Sequence, residues 1–338
     1  MQPTRIDGGV RLGGDARQRL HYARGYGRLV GEDELQLAPV EAAYLLYRED
    51  IPAVDDDGFR SYLTGHPDPT LYRRFAVYKD LRERGFYLSP RTDEPIDFEV
   101  YERGSDPTGG PIAYAIRVHD ERDRIAVRTL DPAVLGIVDG EGEVGYIAVD
   151  RVTPSGTVDP GRGADLEASL AGTRVLVWDP PAWLYEEAFY GRPIADRDAV
   201  EEGIQLSLLE SHYLADRGVF ADGPAAERIA VAGREHEGEQ FDRRRTVYGW
   251  LRDAGMVPKT GYKFGTDFRA YEAFSTVEEM THSSDLVRVL APDAVLGPHD
   301  FARDVRLAHG VGKRMVFALA AGSRETDVSW ISMKRITP

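Results

Sequence analysis

Apolar and polar positions along this 338-residue chain run through the same pattern twice. Leu35–Tyr47 and Ile204–Ala215 each carry apolar residues at helical spacing and predict an amphipathic helix. V-Y-K-D-L-R-E-R-G from Val77 and V-Y-G-W-L-R-D-A-G from Val247 predict a second helix in each copy, stopped by a glycine. Alternating segments then predict strands at Phe98–Tyr101, Ile112–Val118 and Ile125–Thr129, and again at Phe268–Phe274 and Leu286–Leu290. Phe301–His309 returns to helical spacing, and Met315–Ala320 and Val328–Ile336 read as strands. P-S-G-T-V-D-P-G-R-G-A-D, from Pro154, has the Pro/Gly/Asp content of a linker.

The likeness extends to residue identity, which marks an internal duplication. V-Y-x-x-L-R and D-F-x-x-Y-E recur at an offset of 170. Gln36, Glu41 and Tyr44 fall on Gln205, Glu210 and Tyr213 at 169, and V-G-Y-I-A-V-D-R-V from Val144 falls on V-S-W-I-S-M-K-R-I at 184. The jump from 170 to 184 places a deletion in copy one, which lacks the helix carrying Arg306 and leading to Lys313. The expected fold is α+β: a tandem duplication of a unit made of a small α/β N-terminal domain and a mixed-sheet domain flanked by helices. The expected divisions are 1–75 and 76–153 for the first unit, a linker at 154–165, then 166–242 and 243–338 for the second.

Composition narrows the class. No apolar run approaches the roughly 18–20 residues of a membrane span, and the N-terminus has no apolar core of a signal peptide, so a cytoplasmic protein is expected. The absence of cysteine excludes disulfides, thiolate metal sites and cysteine nucleophiles. Net charge is −15, and 37 of the 42 basic residues are arginine. This acidic, lysine-poor composition suits a salt-rich cytoplasm that screens surface charge; a GC-rich genome is the alternative explanation. The stretch Arg243–Arg314 runs the other way, with twelve bases against nine acids, so a basic face for phosphate remains open there.

That stretch also holds the candidate chemistry. Tyr271, His282 and Lys313 offer a phenol, an imidazole and an ammonium. These can serve as base, acid and charge clamp when a ribose 2′-hydroxyl attacks its neighbouring phosphate, with no metal or other cofactor. Histidine titrates near neutrality and suits the acid. A tyrosine base needs a nearby cation, for which Lys313 is the expected source. Copy one keeps Tyr101 opposite Tyr271 but has Ile112 at the offset of His282, and reads as a structural pseudo-unit. Each residue also has a plain reading: half-buried packing for Tyr271, a helix-cap neighbour for His282, a solvated charge for Lys313. Two rival functions stay open. A metal-dependent nuclease would use Asp267, Glu272 and Lys334, although both acids recur in copy one as Asp97 and Glu102. A non-catalytic RNA-binding or assembly subunit would need only the scaffold.

At G-Y-K-F-G-T-D-F-R-A-Y-E, H-S-S-D-L-V and V-R-L-A-x-x-V-x-K the chain resembles the archaeal tRNA-splicing endonucleases, in the tandem, two-unit subtype. The resemblance implies a homodimer with two active sites. It implies cutting of precursor tRNA at intron–exon junctions in bulge–helix–bulge folds, leaving 2′,3′-cyclic phosphate and 5′-hydroxyl ends without metal, with other archaeal RNAs as further candidate substrates. It assigns Tyr271 as general base, His282 as general acid and Lys313 as transition-state stabiliser. Arg306 matches an arginine that stacks on a bulge base, with a helix-surface salt bridge as its alternative. An acidic loop of the degenerate unit docks on the partner; Asp139, Glu141 and Glu143 in V-D-G-E-G-E-V fit it, or form a plain hairpin turn. V-G-K departs from the more basic run often found around the lysine.

Overall fold

The last strands of the two copies lie side by side and join their sheets into one. The computed structural model describes residues 3–31, 33–91, 95–161, 163, 165–195, 203–273, 277, 282–322 and 328–338. In copy one, helix α1 (Leu71–Glu83) precedes strands β1 (Leu88–Pro90), β2 (Phe98–Tyr101), β3 (Ile112–Asp120), β4 (Ala133–Val138) and β5 (Val144–Arg151). In copy two, helix α2 (Glu239–Asp253) precedes β6 (Val257–Thr260), β7 (Phe268–Tyr271) and β8 (Asp285–Leu290), then helix α3 (Pro298–Gly310), β9 (Arg314–Leu319) and β10 (Ser329–Ile336). The resulting ten-stranded sheet runs β6-β7-β8-β9-β10-β5-β4-β3-β2-β1, a mirror order with its centre at the antiparallel β5–β10 pair. In each half one neighbouring pair is parallel, β8–β9 and β3–β4.

The duplication is visible in bonds as well as order. Arg244 pairs with Asp267 at 3.2 Å, and Arg74 with Asp97 at 3.1 Å. Asp267 accepts from the Val289 N–H and Asp97 from the Val118 N–H, fixing the second strand of each sheet to the third. These pairs set the offset at 171 on β3 and β8, so the residue opposite His282 is Pro111 rather than Ile112; neither is ionisable. The deletion in copy one is where the offsets put it. A 3-10 turn, Val127–Thr129, stands where copy two has α3, so the expected strand Ile125–Thr129 shrinks to Ile125–Ala126, paired with Val295–Leu296 of copy two.

Each copy opens on a smaller domain, with a four-stranded sheet in the first and a five-stranded sheet in the second. The helices expected over Leu35–Tyr47 and Ile204–Ala215 are each a strand followed by a helix: Glu34–Leu37 then Pro39–Tyr47, and Ile204–Ser207 then Leu208–Asp216. Proline at the first helical position fixes the break in copy one, and Ser207 with Glu210 forms a capping box in copy two. The Pro/Gly/Asp stretch between the copies is docked. Gly156 and Val158 donate to the carbonyls of Ala254 and Gly255, Thr157 donates to Glu272, and Val158 enters the core of copy two. A Cβ at Gly156 would lie 2.3 Å from the Gly255 carbonyl oxygen, which explains the glycine.

Candidate active site

The ends of three neighbouring strands carry the three candidate residues. Tyr271 ends β7, and the residue before it, Ala270, accepts a hydrogen bond from the Ser284 N–H at 3.0 Å. The Ser284 carbonyl in turn accepts from the Arg314 N–H at 3.0 Å. Three adjacent strand ends are therefore tied in a row, with Tyr271 following the first, His282 just ahead of the second and Lys313 just ahead of the third. The Lys313 ammonium donates to the Ser283 carbonyl at 2.6 Å, beside His282, and lies 5.9 Å from the Phe264 ring centre. Among the described residues no hydrogen bond joins the three side chains to one another. The expected end of the β7 strand at Phe274 lies outside the described residues.

Local structure sets each position. The Asp285 carboxylate, 1% exposed, takes both arms of Arg314 at 2.8 Å and pins the start of β8 to the start of β9. Helix α3 begins one turn earlier than expected, at Pro298, where the Asp300 carboxylate accepts from the Gly297 N–H. It ends by way of Gly312, whose φ of +66° is left-handed, and the Lys313 N–H then donates to the Ala308 carbonyl at 2.9 Å. The V-G-K sequence thus serves the turn that delivers the lysine.

Tyr271 is buried up to its hydroxyl. Phe189, from the small domain of copy two, packs edge-on against it with ring centres 6.1 Å apart. Phe189 adopts φ of +52°, strained for a large residue. The Arg–Tyr stacks Tyr190–Arg252 and Tyr26–Arg82 align the copies here, and the residue before Tyr26 is Gly25, also left-handed. A glycine in copy one has become a phenylalanine against the candidate base in copy two. The tyrosines differ as well. Tyr101 shares a 2.9 Å hydrogen bond with Ser89, whereas copy two has Lys259 in place of that serine. Lys259 turns away to Glu210 at 2.6 Å and to the carbonyls of Phe189 and Gly191. The Tyr271 hydroxyl has no hydrogen-bond partner among the described residues and is not sealed from solvent.

Electrostatics revises one expectation. Burial raises the Tyr271 phenol above its ordinary value, and the cation that opposes this is Arg269, not Lys313. Burial also lowers Lys313 below its ordinary value, with Arg269 adding to the effect. The sequence reading missed Arg269, although D-F-R-A-Y against D-F-E-V-Y displays its change to Glu99 in copy one.

The remaining candidates separate cleanly. Arg306 is exposed on α3 and makes no ion pair among the described residues, while its neighbour Arg303 pairs with Asp304 at 3.1 Å, so the salt-bridge alternative for Arg306 is not formed. Asp139 turns inward, its carboxylate accepting the N–H groups of Glu141 and Glu143, and those two glutamates stay exposed on the β4–β5 hairpin. Asp267 and Glu272 flank opposite ends of β7. Arg244 holds the first and Arg314 approaches the second at 3.6 Å, so with Lys334 out on β10 the three do not converge on a metal site. A groove of about 720 Å³ between the α2 helix and the small domain of copy two includes none of the three candidate residues.

Comparison with known proteins agrees with the duplication. The tRNA intron endonuclease catalytic C-terminal domain matches residues 71–146 and again 241–330, and the tRNA intron endonuclease N-terminal domain matches 3–62 and 166–221. The tRNA-splicing endonuclease of Haloferax volcanii is 47% identical over the whole of both chains. That of Halobacterium salinarum is 46% identical over 97% of both, and that of Methanosarcina acetivorans 33% identical over 98% of this chain and 99% of its own. With both domains of the family present twice and full-length relatives at this level of identity, the chain belongs to the tRNA-splicing endonucleases and is an RNA endonuclease.

Proposed function

We propose that this enzyme cuts precursor tRNA at the intron–exon junctions of bulge–helix–bulge RNA by metal-independent acid–base catalysis in copy two. The observation that carries the reading is the convergence of Tyr271, His282 and Lys313 at three adjacent strand ends, against a copy one that retains only a tyrosine already bonded to Ser89. Tyr271, acting as the phenolate, takes the proton of the 2′-hydroxyl as the ribose oxygen attacks phosphorus. The bond from phosphorus to the 5′-oxygen breaks, and His282 protonates that leaving oxygen. The products are a 2′,3′-cyclic phosphate and a 5′-hydroxyl. Lys313 neutralises charge that grows on the phosphate oxygens in the transition state, where one such contact is worth roughly 3–4 kcal/mol. Arg306, which has no acidic partner among the described residues, stacks on an unpaired base of the bulge. Glu141 and Glu143 present the docking acids for a second copy in a homodimer, and Asp139 shapes their turn.

The direct test separates cutting from binding. Lys313→Ala should lower single-turnover cleavage of a bulge–helix–bulge RNA by about 100- to 1000-fold and leave affinity for the same RNA nearly unchanged. Arg306→Ala should chiefly weaken affinity. Parallel loss of binding and cutting in the Lys313 variant would instead assign it to ground-state phosphate contact and favour a binding role.

A further inference from the structure

Nothing described in the fold neutralises the cation between the tyrosine and the lysine. Arg269 stands on β7 two residues before Tyr271, so both side chains leave the same face of the sheet. Its guanidinium carbon is 5.7 Å from the Tyr271 ring centre, and its field acts on both Tyr271 and Lys313. Across the strand pair it faces a third cation, Lys259 on β6. Like charges at directly opposed positions are unfavourable. Glu210 neutralises Lys259, as Asp267 does Arg244 and Asp285 does Arg314. Among the described residues Arg269 has no such carboxylate, and its Nε is buried without a hydrogen-bond partner. In copy one the matching position is Glu99, two residues before Tyr101 and 3.8 Å from Arg91. The tyrosine is shared, the neighbouring charge is reversed, and only the positive version sits beside a lysine and a histidine.

We propose that Arg269 is a fourth catalytic side chain, whose guanidinium binds a non-bridging oxygen of the scissile phosphate opposite Lys313. The proposal rests on the reading of Tyr271, His282 and Lys313 given above. The phosphodiester carries one negative charge before attack. Once the 2′-oxygen has bonded to phosphorus and surrendered its proton to Tyr271, a second charge spreads over the non-bridging oxygens until the 5′-oxygen departs with the proton from His282. A guanidinium beside those oxygens, unpaired among the described residues, is favoured most at that point. The same charge favours the phenolate form of Tyr271, the form able to take the proton. Among the described residues, the charged and titratable groups that act on or are acted on by Arg269 are Tyr271 on its own strand, Lys259 on β6 and Lys313 ahead of β9. Glu99 in copy one would repel a phosphate, consistent with an inert unit.

The experiment compares wild type, Arg269→Gln and Arg269→Lys on one bulge–helix–bulge RNA with chelator present. It reads single-turnover rate against pH, affinity for the RNA made uncleavable by 2′-deoxy substitution, and melting temperature. The Gln variant should cut about 100-fold more slowly, with affinity and melting nearly unchanged and the rising limb of its pH profile moved to higher pH. Lys should restore the limb and part of the rate, staying about 10-fold below wild type because an ammonium lacks the planar fork. A Gln variant as fast as wild type, or one that loses binding in step with cutting, overturns the proposal while leaving the other three residues in place. If the Gln variant does not fold, the Lys variant decides, and an unchanged rate and pH profile overturn the proposal. Failure of the wild type to cut overturns the underlying reading and Arg269 with it.

Discussion

Two glutamates in equivalent places show how one neighbour changes a residue's chemistry. Glu41 accepts the N–H groups of Gly27 and Ala38, and Glu210 those of Gly191 and Ser207. Burial pushes Glu41 from the ordinary 4.5 up to about 7, the two N–H bonds opposing it only in part. Burial would raise Glu210 likewise, but Lys259, together with its two N–H donors, brings it down to about 2. The signs then differ. Glu41 binds its proton more tightly when folded, so its stabilising contribution is complete below about pH 4.5 and is lost as pH rises through about 7. Glu210 binds its proton less tightly when folded, so its contribution holds above about pH 4.5 and is lost as pH falls towards 2. Lys259→Ser gives copy two the residue that copy one has at Ser89. It should move Glu210 upward towards the behaviour of Glu41 and cost roughly 3–5 kcal/mol at neutral pH, the typical cost of orphaning a buried charge. Carboxyl-carbon NMR titration with urea melts checks this, and a Glu210 that still titrates near 2 would contradict it. The glutamates themselves were legible as a matched pair in Q-x-x-x-x-E-x-x-Y. The Lys259 partnership was not, because 49 residues separate it from Glu210 and no local pattern links them. Phe189 was equally hidden, since neither its left-handed backbone nor its contact with Tyr271 leaves a periodic signal.

Among the elements, periodicity succeeded where one period held for long enough. The α3 helix and the β9 and β10 strands were found close to their observed limits because each keeps one period throughout, whereas the strand expected over Phe268–Phe274 is β7 only as far as Tyr271. It failed where two periods met. Leu35 and Leu37 alternate as a strand, but they run directly into a helix beginning at Pro39, and a single helical reading covered both. The close of α3 carries the clearest prediction at this scale. Gly312, at φ of +66°, has no neighbouring atom to clash with an added Cβ, so Gly312→Ala isolates the backbone effect. It should cost roughly 1–2 kcal/mol. It should also slow cleavage by displacing Lys313, with RNA affinity retained. Melting temperature and single-turnover rate measure the two parts; a fully active, fully stable variant would show that this turn does not place the lysine.

For the whole molecule, the duplication was legible from the four matching blocks and their shift in offset, and the fold realises it as a sheet continuous across both copies. That the copies join through β5 and β10 was not legible, because edge pairing is set by backbone groups that every residue carries. The acidic excess also belongs to this scale. With a net charge of −15 the chain repels itself, and salt should relieve that repulsion. Melting temperature is expected to rise steadily from 0.1 M to 2 M potassium chloride, and a flat or falling curve would remove salt adaptation as the reason for this composition. Among the described residues no helix is long and apolar enough to cross a membrane.

In the proposed reaction copy two cleaves RNA through the substrate's own 2′-hydroxyl, with protein side chains supplying the acid, base and positive charge. Cleavage of an end-labelled bulge–helix–bulge RNA in molar salt and excess chelator, with the product ends identified, tests it most directly. Cuts in both bulges, 2′,3′-cyclic phosphate and 5′-hydroxyl ends, and no dependence on added magnesium are expected. Cutting that appears only with magnesium and leaves 3′-hydroxyl or linear phosphate ends would contradict it.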